Sequence, residues 1–299
     1  MRRTSAVARL LPLAGLVWFG TGCSIDLDAK AYTGREERRF EVTAAPELDL
    51  STFDGAVEVA VWDKPSVEVT IERRAMSKEE ADTIEVKAEQ TGNRISIEAR
   101  QPAHRDDVLH IGYHVSRSAR LVASVPRETN LRARSGDGAI SVRGVTGHVE
   151  LHSSDGNITG TDLSGQVAAR TSDGTVNLRG IKGDLEVESS DGALTIAGSF
   201  GALRAHTSDG SISITADAAT KMTSDWDIST GDGRIELSLP NDFGAELDAH
   251  TGDGSVDVAD LKVAVSGTLS KDSLRGTLGD GGRSLRIRSG DGAIRLRRG

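Results

Sequence analysis

Carboxylates recurring at a fixed spacing are the first residues of this chain whose type and placement could do chemistry. Asp137, Asp155, Asp173, Asp191 and Asp209 follow one another at a constant gap of 18, and Asp232, Asp253 and Asp291 continue the series at gaps of 23, 21 and 38. Each precedes a glycine: Gly138, Gly156, Gly174, Gly192, Gly210, Gly233, Gly254 and Gly292. Stacked at strand spacing, about 4.8 Å, such carboxylates approach the ~5 Å separation of retaining glycosidases and the ~6.5–9.5 Å separation of inverting ones. Acid–base catalysis, however, needs two unlike environments so that one acid stays protonated, and a series of identical neighbourhoods supplies none. The expectation is structural: the aspartate caps its own turn and the glycine supplies positive φ. Calcium bridging the column is the competing reading. It lacks the calcium-binding nonapeptide pattern, and calcium takes about six to eight oxygens. No catalytic residue, cofactor or metal is therefore assigned.

Two residues before each aspartate stands a hydroxyl: Ser135, Ser153, Thr171, Ser189, Thr207, Thr230, Thr251 and Ser289. These share parity with the apolar positions, so an inward hydroxyl ladder is expected, with an outward, ice-binding array as the alternative. The preceding residues face out: Arg134, His152, Arg170, Glu188, His206, Ser229, His250 and Arg288. His152 and His206 would lie three strands apart, about 14 Å, too far to share a zinc ion whose ligands sit about 2 Å away. His110 and His114 would share a strand face about 13 Å apart, and His104 completes no better set. Trp226 alternates with Ile228 and Thr230 as Leu203 does with Ala205 and Thr207, so it reads as core. The arginines at 283, 286, 288, 295, 297 and 298 are expected to point outward at the end of the structure and prevent end-to-end association. The alternative is a patch for anionic envelope polymers or lipid headgroups.

The elements positioning these columns follow from period two. Before each turn apolar residues alternate (Val149 and Leu151, Val167 and Ala169, Leu185 and Val187), and after it they alternate again (Val176 and Leu178, Leu194 and Ile196, Ile212 and Ile214). Period two means strand. Identical corners at a constant interval fit one coil per repeat, each burying its face against its neighbours. The expected fold is all-β, a parallel β-helix or β-solenoid with rungs of about 18 residues over 127–299, and a β-rich N-terminal part, 40–126, acting as cap and first rungs. Eight meandering hairpins and a left-handed hexapeptide helix are the alternatives. Phe53-Asp54-Gly55 reads as a diverged first turn, and Ser77 with Glu80 forms a capping box that predicts one short helix.

The first residues read as an address. Arg2, Arg3 and Arg9 flank an apolar run, Leu10 to Phe19, too short for the ~20 residues of a membrane span and suited to a signal-peptide core. Gly20, Thr21 and Gly22 lead into Cys23, the single cysteine of the chain. This resembles a bacterial lipobox, with Gly20 where leucine is usual, and implies removal of 1–22, lipidation of Cys23 and a polar tether over 23–39. One cysteine excludes an intrachain disulfide and a cysteine-based metal site. The net charge is −9. With the three leader arginines removed, Lys+Arg falls from 36 to 33 against 45 acids, a net of −12, which argues against nucleic acid as partner. Glycine is high, at 34 residues, and aromatics are low, at 3%, as suits many turns and thin repeated packing layers.

The Ser/Thr-x-Asp-Gly-x-Ile ladder, the β-rich N-terminal half, Gly279-Asp280-Gly281-Gly282 and the closing run from Ser289 through Ile294 to Leu296 together resemble the bacterial family DUF4097, whose members carry a provisional adhesin label. The resemblance covers roughly residues 40 to 299. It implies no catalytic residues and no known ligand. The function expected is a non-catalytic, lipid-anchored cell-envelope protein, at the outer membrane or cell surface rather than in the cytoplasm, presenting a β-solenoid surface to an envelope polysaccharide or protein. The alternatives are a structural or regulatory component of envelope stress and a polysaccharide-active β-helix enzyme.

Overall fold

The computed structural model describes residues 31–101, 117–259, 261–266 and 270–299. The leader, Cys23, His104, His110 and His114 lie outside the described residues. The chain runs through β1 (Tyr32–Glu41), β2 (Glu47–Thr52), β3 (Val57–Val61), β4 (Ser66–Ala75), the helical turn α1 (Lys78–Asp82), β5 (Glu85–Thr91), β6 (Arg94–Arg100) and β7 (Ser118–Val125). The repeat region supplies β8 (Asn130–Ser135), β9 (Ile140–Arg143), β10 (Thr146–Ser153), β11 (Ile158–Thr161), β12 (Ser164–Thr171), β13 (Val176–Ser189), β14 (Leu194–Thr207) and β15 (Ile212–Ala216). It closes with β16 (Trp226–Thr230), β17 (Ile235–Leu239), β18 (Ala245–Thr251), β19 (Val256–Ala259), β20 (Val263–Val265), β21 (Ser273–Leu278), β22 (Ser284–Ser289) and β23 (Ile294–Arg298). The protein is thus all-β with a single helical turn among the described residues, whose N-terminus is capped by Ser77 Oγ accepting the Glu80 N–H at 3.2 Å. Residues 32–39, expected in the tether, instead pair antiparallel with β4.

Alternation makes these strands and sets their faces. Val149 lies in parallel register between Leu131 and Val167, and Val167 lies beside Leu185, one repeat apart each time. On the other side of the corner Ile158 lies between Ile140 and Val176, and Val176 beside Leu194. All of these side chains are buried. Each such strand–corner–strand unit is a rung. One row of pre-corner strands runs β6, β2, β8, β10, β12, β13, β14, β16, β22, β18. One row of post-corner strands runs β7, β3, β9, β11, β13, β14, β15, β17, β23, β19. β13 and β14 are long enough to belong to both rows, which joins everything into one 23-stranded sheet.

That sheet is mixed and does not follow chain order throughout, unlike the regular parallel stack expected from the repeat. Antiparallel strands flank the rows: β1 and β4 beside β7, β5 beside β6, and β21 and β20 beside β18. The C-terminal rung departs furthest. β22 lies between β16 and β18, and β23 between β17 and β19. The closing arginines therefore do not guard an edge, because the last rung in sequence has a neighbour on both sides.

The core sits between the two rows, lined by small aliphatic layers. Its aromatic part is local: buried Trp226 packs edge-on to Phe200 at 6.0 Å between ring centroids and tilted against Phe243 at 5.3 Å. The Trp226 indole N–H donates to the Gly201 carbonyl at 3.1 Å, so its polar atom is satisfied.

Candidate binding faces and the aspartate column

The repeated motif divides its labour at the corner. The Ser153 hydroxyl accepts the N–H of Gly156 in its own turn at 3.0 Å and reaches the carbonyl of Gly138 one rung below at 3.1 Å. Thr171 repeats this with Gly174 and Gly156, and Thr207 with Gly210 and Gly192. The chain of contacts continues through Thr230, Ser289 and Thr251 in that order, following the order of the rungs. Beside it, the N–H groups of Ser172 and Asp173 both donate to the Ser154 carbonyl, at 2.8 and 3.2 Å. The hydroxyls are buried and bonded on both sides, so they serve as backbone partners. Among the described residues none of them hydrogen-bonds a base as an activated nucleophile would.

Two expectations about this corner need correction. The glycines after the eight repeat aspartates are outside the left-handed region, whereas Gly55, after Asp54, is at φ 129. Glycine is required there for space: a Cβ at Gly174 would lie within 3.0 Å of the Gly156 carbonyl oxygen, and the same holds up and down the column. Positive φ belongs to the second corner, at Gly165 (φ 110) and Gly183 (φ 122). Nor does the aspartate cap the turn, since the Ser/Thr hydroxyl does so. Asp137, Asp155, Asp173, Asp191, Asp209, Asp232, Asp253 and Asp291 are exposed. Asp54, in the β2–β3 corner, heads the column. Partial burial, and secondarily the charge of Asp137, raise its carboxyl above the ordinary aspartate value. Among the described residues no group of three or more His, Cys, Asp or Glu is arranged to hold a metal.

The outward faces of the two rows differ over the middle rungs, although charges also meet across rungs at the ends of the post-corner row, Arg120 with Glu58 at 2.8 Å and Arg295 with Glu236 at 3.8 Å. On the pre-corner row charges meet across rungs. Arg132 bonds Glu150 at 2.7 Å, Arg170 bonds both Glu186 and Glu188 at 2.9 and 2.8 Å, and Arg288 bonds Asp248 at 2.6 Å. The hydrogen bond from Arg132 holds the Glu150 carboxyl below its ordinary value, and the one from Arg288 does the same for Asp248, each against some desolvation. His206 Nδ1 lies 3.0 Å from Ser229 Oγ, while His152 stands in register with Arg170 and Arg134. Two shallow depressions of about 450 Å³ each open on this face and share His148. One is rimmed by Asp184, Glu186, Asp225 and Asp227, the other by Glu47, Arg94, Arg132 and Glu150. Small side chains, Ala168 and Ala202, leave the room in the first. On the post-corner row, Ser141, Thr159, Asn177, Thr195 and Ser213 stand in register as an uncharged line. Trp62 is half-buried, with its indole N–H on the Ser66 carbonyl at 2.7 Å and Lys64 over the ring at 4.4 Å.

Sequence reasoning missed the depressions and the ion-pair lattice, because both depend on which rungs are neighbours. For the C-terminal rung a signal existed. It is basic at outward positions, Arg286 and Arg295, where the preceding rungs are acidic, at Asp227, Glu236, Asp248 and Asp257.

Comparison with known proteins follows from this geometry. The family model described as Toastrack DUF4097 matches residues 47–297. Solved structures that align over most of the chain include a protein provisionally named a cell adhesion protein from Clostridium sporogenes, 12% identical, covering 90% of this chain and 100% of that one, with a TM-score of 0.29. A provisionally named adhesin from Bacteroides fragilis is 12% identical over 88% and 97% of the two chains, with a TM-score of 0.46. A provisionally named lipid binding protein from Parabacteroides distasonis is 14% identical over 87% and 96%, with a TM-score of 0.36. Among curated proteins none matches. At these identities and TM-scores the three names say nothing of this chain's activity.

Proposed function

The chain belongs to the Toastrack DUF4097 family, and from that premise we propose that it is a non-catalytic envelope lipoprotein whose β-solenoid presents a long polar surface to an envelope polysaccharide or protein. In this reading 1–22 is the signal peptide and Cys23 carries the lipid. The tether ends before β1, the β-rich part to residue 126 caps the stack and starts it, and 127–299 supplies the repeat rungs, the last of them inserted out of chain order. Lipid anchoring would hold the protein in the cell envelope, at the outer membrane or cell surface rather than in the cytoplasm.

One observation carries the proposal. The repeated hydroxyls and glycines are consumed by the stack itself, so what each rung offers outward is a short line of polar side chains held in register with its neighbours. Such faces suit binding to an extended partner.

The test uses the soluble chain, residues 24–299, with peptidoglycan, lipopolysaccharide and acidic polysaccharides, with and without calcium. Saturable retention without release of soluble fragments supports a binding surface and identifies its ligand class. Fragment release refutes the non-catalytic reading. Absence of both, on every polymer, removes the polysaccharide half of the proposal and leaves a protein partner.

A further inference from the structure

The outward side chains at the middle of the pre-corner strands form a ladder of alternating charge. In stack order they are Asp49, Arg132, Glu150, Ala168, Glu186, Arg204, Asp227, Arg286, Asp248 and Arg275, each in register with the next. Acid and base alternate at every step but one. Opposite charges facing each other on adjacent strands attract, and like charges repel. Ala168 stands where the alternation calls for a cation, between Glu150 and Glu186. Those two positions are about 10 Å apart at strand spacing. Arg132 engages one carboxylate oxygen of Glu150 at 2.7 Å, and Arg170, two residues along from Ala168, engages one of Glu186 at 2.9 Å. No cation stands at the step itself.

Two further irregularities fall at the same place. The interval from Asp209 to Asp232 is 23, five longer than the 18 of the rungs before it. The added residues lie in the connection from β15 to β16, where the Thr223 N–H donates to the Gly201 carbonyl at 3.0 Å. Ser224 and Asp225, at the end of that connection, wall the first depression. Insertions in a repeat collect on one face, often the binding face. Ala168 and Ala202, both small, line the same depression. Its rim is fixed: Asp184 accepts the Ala202 N–H at 2.9 Å, and Asp225 accepts the Ser284 N–H at 3.0 Å. The step without its cation therefore lies in a depression of about 450 Å³, edged by Asp184, Glu186, Asp225 and Asp227 and built where the repeat departs from its own period.

We propose that this depression is an interaction site for a lysine or arginine side chain of a protein partner, whose cation completes the ladder over Ala168. The flanking steps decide the kind of partner. Arg132 and Arg204 stand two rungs to either side of Ala168, so a polymer with a cation on every unit meets like charge at both. A polyanion meets Glu150 and Glu186 instead. A protein segment carries a single cation among neutral or acidic neighbours, which is the complement of these steps. Such complementarity selects the partner and its register more than it adds affinity. The inference rests on the protein half of the binding reading above and names the site for it.

The experiment uses the soluble chain, 24–299, with its alanine methyl groups labelled for NMR. The probes are a blocked Ser-Thr-Lys-Thr-Ser peptide, the same peptide with norleucine for lysine, and a glucosamine oligomer. The lysine peptide should shift the Ala168 and Ala202 signals saturably. The norleucine peptide should bind at least tenfold more weakly, and high salt should weaken the lysine peptide, since the site is exposed to screening. Ala168→Arg supplies the cation from within, so it should keep the urea midpoint of the parent or raise it and cut the peptide's effect on Ala202 at least tenfold. The proposal is overturned if the lysine peptide gives no saturable shift at these alanines, if norleucine does as well, or if Ala168→Arg unfolds more easily or still binds. Tighter binding of the glucosamine oligomer overturns the assignment to a protein. Retention of the chain on a polymer with no shift at Ala168 or Ala202 leaves the wider binding reading standing and removes this site.

Discussion

Replacing Thr207 with Val tests whether the corner hydroxyls hold the rungs together. Valine keeps the shape and β-branching of threonine and removes only the hydroxyl. Thr207 is fully buried. Its Oγ1 accepts the Gly210 N–H at 3.2 Å and donates toward the Ser190 carbonyl at 2.9 Å. The variant leaves one buried N–H without its acceptor, at a cost of about 1–3 kcal/mol, and removes one donor to a carbonyl that keeps its backbone partners, worth about 1 kcal/mol or less. A loss of about 2–3 kcal/mol is expected, or roughly 4–12 °C in Tm for a domain of this size. Thr207→Ser keeps the hydroxyl and loses a methyl group, so it should fall within about 1 kcal/mol of the parent. Equilibrium urea unfolding of the soluble chain, read by circular dichroism and by the fluorescence of Trp62 and Trp226 together, measures both. If Val is as stable as Ser, the hydroxyl chain contributes nothing net, and the corner is held by the paired backbone N–H groups alone.

Further outcomes follow from other residues. Gly174→Ala places a Cβ against the Gly156 carbonyl and should destabilise by about 1–3 kcal/mol or more, whereas Gly92→Ala, at φ 61 with open space around it, should cost about 1 kcal/mol; equal losses in urea unfolding would refute the close-approach argument. Asp248 has its carboxyl lowered chiefly by Arg288, so its contribution is present above the unfolded value of about 3.9 and is lost as pH falls through the lower folded value. Asp248→Asn should therefore be less stable than the parent at pH 7 and converge with it in strong acid, as urea midpoints across pH will show. Asp54 is raised by burial and by Asp137, so its penalty sets in as pH climbs through the unfolded value and is complete above the folded one. Asp54→Asn should gain stability at pH 7 and none near pH 3, and a gain independent of pH would exclude the charge explanation. Cys23→Ser should release the full-length chain from membranes into the soluble fraction, and continued membrane partition would end the lipoprotein reading.

The rungs of the repeat were legible because they are written locally. Val149, Leu151 and Ser153 alternate within one strand, and Asp155-Gly156 marks the corner immediately after, so period and corner can be read without knowing any neighbour. The glycine was legible as a turn residue but not for its reason, since the atom that excludes a side chain at Gly174 belongs to Gly156, a full repeat earlier in the chain and one rung below. The inward parity of Thr171 and Thr207 was legible too, while their bonding across rungs was not.

Strand positions, inward and outward faces and the length of the coil could thus be read from the chain alone, because alternation and corner chemistry act over a few residues. The order in which rungs lie against one another could not. β22 and β23 carry the same alternation and lead into the same corner motif as β18 and β19. In the structure Arg286 and Arg295 stand in register with Asp227, Asp248, Glu236 and Asp257 across strand edges, and Arg288 hydrogen-bonds Asp248. Those charges act between segments distant from one another in the chain, so the order of the rungs is settled only when the edges meet.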